Sequence, residues 1–265
     1  VLVCYVVRSF LQYIVAYYGH TFGIRVEADI RRDLFRHMQE MSFDFYDAKS
    51  FKTDGSIVKV TNPDLSNLKS IGNYAMQGVK FDSLTLPSAI KSLSARCFQA
   101  AQIGVLRIEG KFTTIESSTF NLKVAPTAVY IDMSSVTTVK EYGFLFKSLG
   151  STNTTTQWFD LNGNATLDIS NLTTVGNQAF ASSNVGSATK ISWPKNLSSL
   201  GQHAFRGCNM SGVAYFGADS TKNVTVSYYS LNGNNFSAII FGEGVTKVDT
   251  SNFSSGVRLI FLADT

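Results

Sequence analysis

Leu197-Ser198-Ser199-Leu200-Gly201-Gln202-His203-Ala204-Phe205-Arg206-Gly207-Cys208 is the stretch that decides the fold, because the same phrase recurs along most of the chain. Upstream it reads Leu172-Thr173-Thr174-Val175-Gly176-Asn177-Gln178-Ala179-Phe180, and before that Val136-Thr137-Thr138-Val139 ending in Gly143-Phe144. Earlier copies are Phe112-Thr113-Thr114-Ile115-Glu116-Ser117-Ser118-Thr119-Phe120, Ile90-Lys91-Ser92-Leu93-Ser94-Ala95-Arg96-Cys97-Phe98 and Leu68-Lys69-Ser70-Ile71-Gly72-Asn73-Tyr74-Ala75-Met76. The core anchors Met76, Phe98, Phe120, Phe144, Phe180 and Phe205 follow at intervals of 22, 22, 24, 36 and 25 residues. A period in the low twenties lies in the leucine-rich-repeat range. The long interval is one period plus an insertion near 148–163, rich in Ser, Thr and Asn.

Each copy also carries a strand signal, two apolar residues around one that must point the other way. The triplets are Leu84-Thr85-Leu86, Leu106-Arg107-Ile108, Val129-Tyr130-Ile131, Leu167-Asp168-Ile169, Ile191-Ser192-Trp193 and Val213-Ala214-Tyr215, continued by Ile239-Ile240-Phe241 and Leu259-Ile260-Phe261. A single coil cannot bury its own apolar side chains, whereas stacked coils bury a continuous column. The middle residues then form one row: Thr85, Arg107, Tyr130, Asp168, Ser192, Ala214, Ile240 and Ile260. This row, flanked by Ser83, Glu109, Asp132, Ser170, Lys190 and Phe216, is the expected ligand-binding concave face, and Tyr130 and Arg107 lead it because Tyr and Arg dominate binding hot spots. For any single member, plain solvated sheet surface is the commoner role. Trp158 and Phe159 in the insertion either protrude as an aromatic contact or pack on the solenoid flank.

Leu84-Thr85-Leu86-Pro87 with Ile90, Ile191-Ser192-Trp193-Pro194 with Leu197, and the I-G-x-x-A-F phrase resemble the BspA-like leucine-rich repeats of bacterial and protozoan surface proteins. The resemblance covers about 200 residues. It implies a non-enzymatic binding or adhesion module at the cell surface with a protein or glycan partner. Met76 in place of Phe, Thr119 and Gly143 in place of Ala, and eroded copies after Cys208 are departures that bear on register.

The first 50 residues have a different grammar. Val1 to Tyr18 is apolar apart from Arg8 and Gln12, close to the roughly 18–20 residues that span a bilayer, with Tyr13, Tyr17 and Tyr18 at its end. From Gly23 to Met41 apolar residues recur at helical spacing, with Glu27/Arg31 and Asp33/His37 in the favourable i,i+4 order. One helix from Val1 to Met41 is roughly 60 Å long. The run Gly23-Ile24-Arg25-Val26-Glu27-Ala28-Asp29-Ile30-Arg31-Arg32-Asp33-Leu34-Phe35-Arg36-His37-Met38-Gln39, with Ser42-Phe43-Asp44-Phe45-Tyr46-Asp47, resembles the second transmembrane helix and first intracellular loop of ABC exporters. The other reading of this segment is a soluble amphipathic helix.

The expected architecture is a β-rich leucine-rich-repeat solenoid of short parallel strands, mostly irregular on its convex side, preceded by a long N-terminal α-helix. Its divisions are 1–47 for the helix, 48–66 for a linker and 67–265 for the solenoid. The chain starts on Val1 and ends on a strand-like run, so it is read as part of a longer protein.

Composition narrows the function. Charged residues are only 16% of the chain, and Ser, Thr, Asn and Gly fill the turns. A net charge of +4 without a basic cluster after residue 60 argues against nucleic acid. Cys4, Cys97 and Cys208 make no disulfide framework, and His20, His37 and His203 are scattered, so no metal site is expected. No Walker, Rossmann, nucleophile-elbow or zincin motif occurs, so neither cofactor nor enzymatic activity is expected. Eight N-x-[S/T] sequons occur, among them Asn164 and Asn223.

The two halves point to different compartments. Arg25, Arg31, Arg32 and Arg36 follow the apolar run, and such residues stay cytoplasmic, whereas the repeats resemble surface proteins. Membrane attachment through the N-terminal helix, a fragment of an ABC exporter membrane subunit carrying the repeats, and a chimeric reading frame therefore stand beside the adhesion reading.

Overall fold

The computed structural model describes residues 7–15, 59–60, 63–146, 153–217, 223–249, 251, 253 and 256–262. The chain divides into two compact units, Val1–Phe45 and Tyr46–Thr265. In the first, residues 7–15 are helical and carry exposed Val7, Phe10, Leu11, Tyr13 and Val15. No helix among the described residues is long and apolar enough to cross a membrane. The expected continuation to Met41, with its exporter-like motif, lies outside the described residues.

The second unit is a parallel β-solenoid. One wall is the sheet β1 (Lys59–Val60), β3 (Lys80–Leu86), β5 (Gln102–Ile108), β7 (Ala128–Ile131) and β9 (Gln157–Phe159), all paired in parallel. It continues as the pair β10 (Thr166–Asp168) and β12 (Lys190–Ser192), then as β14 (Ser211–Phe216), β16 (Asn235–Phe241) and β18 (Arg258–Phe261). The repeat phrase itself supplies shorter strands: β2 (Ser70–Ile71) with β4 (Ser92–Leu93), and β6 (Thr114–Ile115), β8 (Thr138–Val139), β11 (Thr174–Val175), β13 (Ser199–Leu200), β15 (Val224–Val226) and β17 (Val245–Val248). Although 48–66 reads as a linker, Lys59–Val60 already pairs with Lys80–Phe81, and Leu65 is buried.

Between the walls runs a column of phenylalanines. Phe98, Phe120, Phe144, Phe180 and Phe205 are fully buried and stack face to face, with successive centroids 5.5, 5.3, 5.4 and 5.0 Å apart. Met76 is buried one coil earlier. Each ring touches its counterpart in the next coil, so the sequence period becomes a packing period. Gly176 and Gly201 of the phrase sit where a Cβ would meet the preceding coil's backbone, at 2.7 Å from the Glu141 nitrogen and 2.6 Å from the Asn177 nitrogen respectively.

The turn before each anchor requires left-handed backbone. Tyr74, Arg96, Ser118, Tyr142, Gln178, His203 and Tyr229 all have φ between 52° and 62°.

Within the expected insertion, β9 joins the main sheet beside β7, and Trp158 is fully buried against Phe146 and Phe144 at 5.7 and 5.6 Å. Trp158 is therefore core, neither protruding nor on the flank. Its Nε1 donates to the Ser183 carbonyl at 2.8 Å. A buried amide network closes this thicker region. Asn153 Nδ2 donates to the Ser182 carbonyl, Asn184 Nδ2 to the Thr156 carbonyl, and Asn209 Nδ2 to Asn184 Oδ1. Asn234 takes up Phe205 and Leu231 carbonyls and the Met210 N–H.

One register expectation is corrected. In β14 the inward residues are Ala214 and Phe216, both fully buried, while Val213 is exposed and Tyr215 half-buried. The partner strand β16 carries one extra residue, Ser237, between Phe236 and Ala238, and beyond it Ala214, Tyr215 and Phe216 lie opposite Ile239, Ile240 and Phe241. The gain is a seat for Phe216 in the aromatic core, 6.3 Å from Phe205 and 6.4 Å from Phe241.

Candidate functional site

Along the long-strand wall, inward and outward positions alternate because successive side chains of a strand point to opposite faces. Leu84, Leu106, Val129 and Trp158 are buried and in register, and their outward neighbours, exposed Thr85 and half-buried Arg107, Tyr130 and Phe159, are in register too. Phe159 is the member the sequence row lacks. Its triplet, Trp158-Phe159-Asp160, ends on a polar residue where the others are apolar, and it is hidden inside what reads as an insertion.

These outward side chains are held against each other. Tyr130 stacks on Phe159 with centroids 5.0 Å apart and planes 19° from parallel. The Arg107 guanidinium lies over Tyr130, 5.6 Å from its centroid. Arg107 Nε donates to Glu109 Oε1 at 2.8 Å and its terminal nitrogen to the Leu161 carbonyl at 3.0 Å. The guanidinium is thus bracketed by a carboxylate, a carbonyl and a ring face, all half-buried, so little side-chain freedom remains to be lost on binding.

Two further segments of the row stand apart. Asp168 pairs with Ser192, and Asp168 accepts the Ser170 N–H at 3.0 Å. Tyr215, Ile240 and Ile260 are in register and half-buried, with Val213 exposed beside them. Ala214 and flanking Phe216 leave the row, because both belong to the core. Asp132 at the row's margin is held below the usual 3.8, chiefly by its hydrogen bond from Ser134. Asp160, in the turn after Phe159, is lowered chiefly by Asn164.

The turn edge gathers side chains around His203, which the sequence shows only as one of three scattered histidines. His203 stacks on Tyr229 at 5.6 Å, Arg206 lies over Tyr229 at 5.4 Å, and Tyr228 stands at 4.0 Å from Tyr229. Burial, then the charge of Arg206, lowers the His203 pKa below 6.5. Among the described residues no cluster of three or more His, Cys, Asp or Glu side chains is placed to hold a metal ion.

Comparison with known proteins divides the chain as its two grammars do. The ABC transporter transmembrane region matches residues 1–79. Over 74 residues the chain is 46% identical to the uncharacterized ABC transporter ATP-binding protein YwjA of Bacillus subtilis (strain 168), covering 28% of this chain and 12% of that protein. No solved structure matches. The BspA type leucine rich repeat region matches residues 46–165 and 158–262 in six copies. This spans well over half of the chain, which therefore belongs to the BspA-type leucine-rich-repeat family.

Proposed function

We propose that the solenoid is a non-enzymatic binding module whose long-strand wall docks a protein partner around Arg107, Tyr130 and Phe159. The observation that carries this reading is the pre-stacked Arg107–Tyr130–Phe159 ladder, half-exposed on a rigid sheet. Rigid aromatic and Arg side chains are the groups that dominate interface energies. Half-buried Tyr215, Ile240 and Ile260 extend the same wall with an apolar end that a protein surface fits better than a glycan. In this reading Thr85, Asp168 and Ser192 are rim positions.

A photo-cross-linking residue in place of Thr85 identifies the partner, and binding of that partner is then measured with the Arg107→Ala/Tyr130→Ala chain and with Phe159→Ala. Each is expected to lower affinity by about 2 kcal/mol or more. Undiminished binding by both variants refutes the wall as the binding face.

A second reading rests on the exporter-like segment: the repeats are an appendage of a transport subunit, at a membrane or cell surface. The chain spans only 12% of its curated relative, so transport belongs to this proposal alone. Sequencing reads across codons 45–70 test it. Reads that break at the junction make the chain a chimeric frame and remove the transport reading. Continuous reads leading downstream to further membrane helices and an ATPase support it.

A further inference from the structure

We propose that the left-handed turn edge, centred on Tyr228 with His203, Arg206 and Tyr229, is a second binding surface that takes a neutral pyranose residue of a glycan. It lies apart from the long-strand wall and does not depend on the reading given to that wall.

The first support is the choice of residue under strain. At the turn position before each anchor, left-handed backbone costs a non-glycine residue roughly 1–2 kcal/mol. Glycine and asparagine relieve that cost, yet among the described residues neither occupies any of the seven positions. The chain instead places Tyr74, Arg96, Tyr142, Gln178, His203 and Tyr229 there, with Ser118 the one small residue. A second left-handed position follows a few residues later in most of the same turns, and there the chain does use small residues: Gly78, Ala100, Ser182, Gly207 and Gly233. The fold thus demands the conformation but not the large polar side chains, and strain retained in this way marks positions kept for another reason.

The second support is geometry. Neighbouring members pair across coils: Arg96 donates to the Tyr74 hydroxyl, Gln178 to the Tyr142 hydroxyl at 3.4 Å, and His203 stacks on Tyr229 at 23°. Their polar edges repeat at the coil spacing of about 4.8 Å, close to the length of one pyranose ring. At the C-terminal end Tyr228, 45% exposed, stands across this stack, tilted 60° from Tyr229 and 83° from His203. Arg206, fixed over Tyr229 and 3.5 Å from His203 Nδ1, belongs to the same cluster.

An aromatic platform beside a planar donor fork, an imidazole and tyrosine hydroxyls matches the two kinds of surface on a sugar, its C–H face and its hydroxyl edge. The Arg206 guanidinium is already engaged over the Tyr229 ring, so an aromatic stack rather than a cluster of cations faces the ligand, which favours a neutral sugar over a sulfated one. A folded protein partner needs a wider apolar centre than this edge offers, where Tyr74 and Tyr228 are the exposed large rings.

The test is saturation-transfer NMR on the full chain with neutral gluco-, manno- and xylo-oligosaccharides, and with a sulfated oligosaccharide as the charged counterpart. A neutral oligosaccharide is expected to bind through its C–H protons. Tyr228→Ala and Arg206→Gln are each expected to weaken it about tenfold or more, Tyr228→Phe much less, and Tyr130→Ala not at all. All four variants should keep the parent melting temperature, since the substituted side chains lie outside the Phe column. The proposal is overturned by any of four results: no neutral oligosaccharide binds, only the sulfated one binds, binding survives Tyr228→Ala, or Tyr130→Ala abolishes it. A photo-cross-linker at residue 228 that captures a protein and no glycan also overturns it.

Discussion

A single ring of the Phe column touches the rings of both neighbouring coils, so its removal is felt twice. Phe180 lies 5.4 Å from Phe144 and 5.0 Å from Phe205 and is fully buried. Phe180→Ala should destabilise the solenoid by about 3–5 kcal/mol, read as a lower denaturation midpoint, because dispersion contacts are lost and a cavity remains. An unchanged midpoint contradicts the assigned register. The thiols in the same interior are inert for a related reason. Burial pushes the Cys208 thiol up to about 11 and raises that of Cys97 further. Neutral-pH alkylation of the folded protein should leave both unmodified, with labelling appearing only on denaturation. This residue-level behaviour was legible in advance, since the anchors recur at a fixed place in a repeated phrase. Ala214 was not legible. A small residue between two apolar ones fits either face, and only its pairing with buried Ile239 and the seat of Phe216 two residues on turned it inward.

Coils rather than helices or hairpins are the elements here, and each depends on the next for hydrogen-bond partners. Where the coils thicken around Trp158, Asn153, Asn184, Asn209 and Asn234 supply those partners with side-chain amides. Asn234 accepts from the Met210 N–H at 3.0 Å and donates to the Phe205 and Leu231 carbonyls at 2.9 and 2.8 Å. Asn234→Ala leaves three buried backbone groups without their partner. It is expected to destabilise by about 3 kcal/mol and to raise amide exchange first at Met210, since an unsatisfied buried group costs about 1–3 kcal/mol. Exchange at Met210 as slow as in the parent protein refutes this role. From sequence, these asparagines merge into a composition rich in Asn, Ser and Thr. Asn153 and Asn209 also stand in glycosylation sequons, yet Asn153 is buried and its amide is engaged.

At the scale of the whole solenoid, the shifted carboxylates and His203 share one sign of response on acidification. Asp132, Asp160 and Asp249 lie below the usual 3.8, chiefly through hydrogen bonds from Ser134, Asn164 and Ser251. Their stabilisation is complete above that value and is lost as pH falls through it. His203 lies below 6.5, so between its folded value and 6.5 the unfolded chain binds a proton that the folded chain refuses. Stability therefore declines on acidification in two stages, first below about pH 6.5 and again below about pH 4. A melting series from pH 7 to pH 3 should display both stages. His203→Gln should abolish the first alone, and a flat profile in that variant's parent removes His203 as its source.

The recurring phrase was enough to establish a stacked solenoid and the path of its Phe column, and the change of pattern near residue 50 was enough to separate the two halves. The repeat could do so because one coil's pattern, repeated, leaves only one way to bury the recurring apolar residues. It also placed Arg107 next to Tyr130, since equal positions in successive coils become neighbours. Tertiary structure alone decided what breaks the period. It put Trp158 into the core and Phe159 onto Tyr130, turned Ala214 and Phe216 of β14 inward, and gathered His203, Arg206, Tyr228 and Tyr229 at one edge. Those outcomes depend on how coils of unequal length fill one shared interior, and a local pattern carries no information about the volume its neighbours leave.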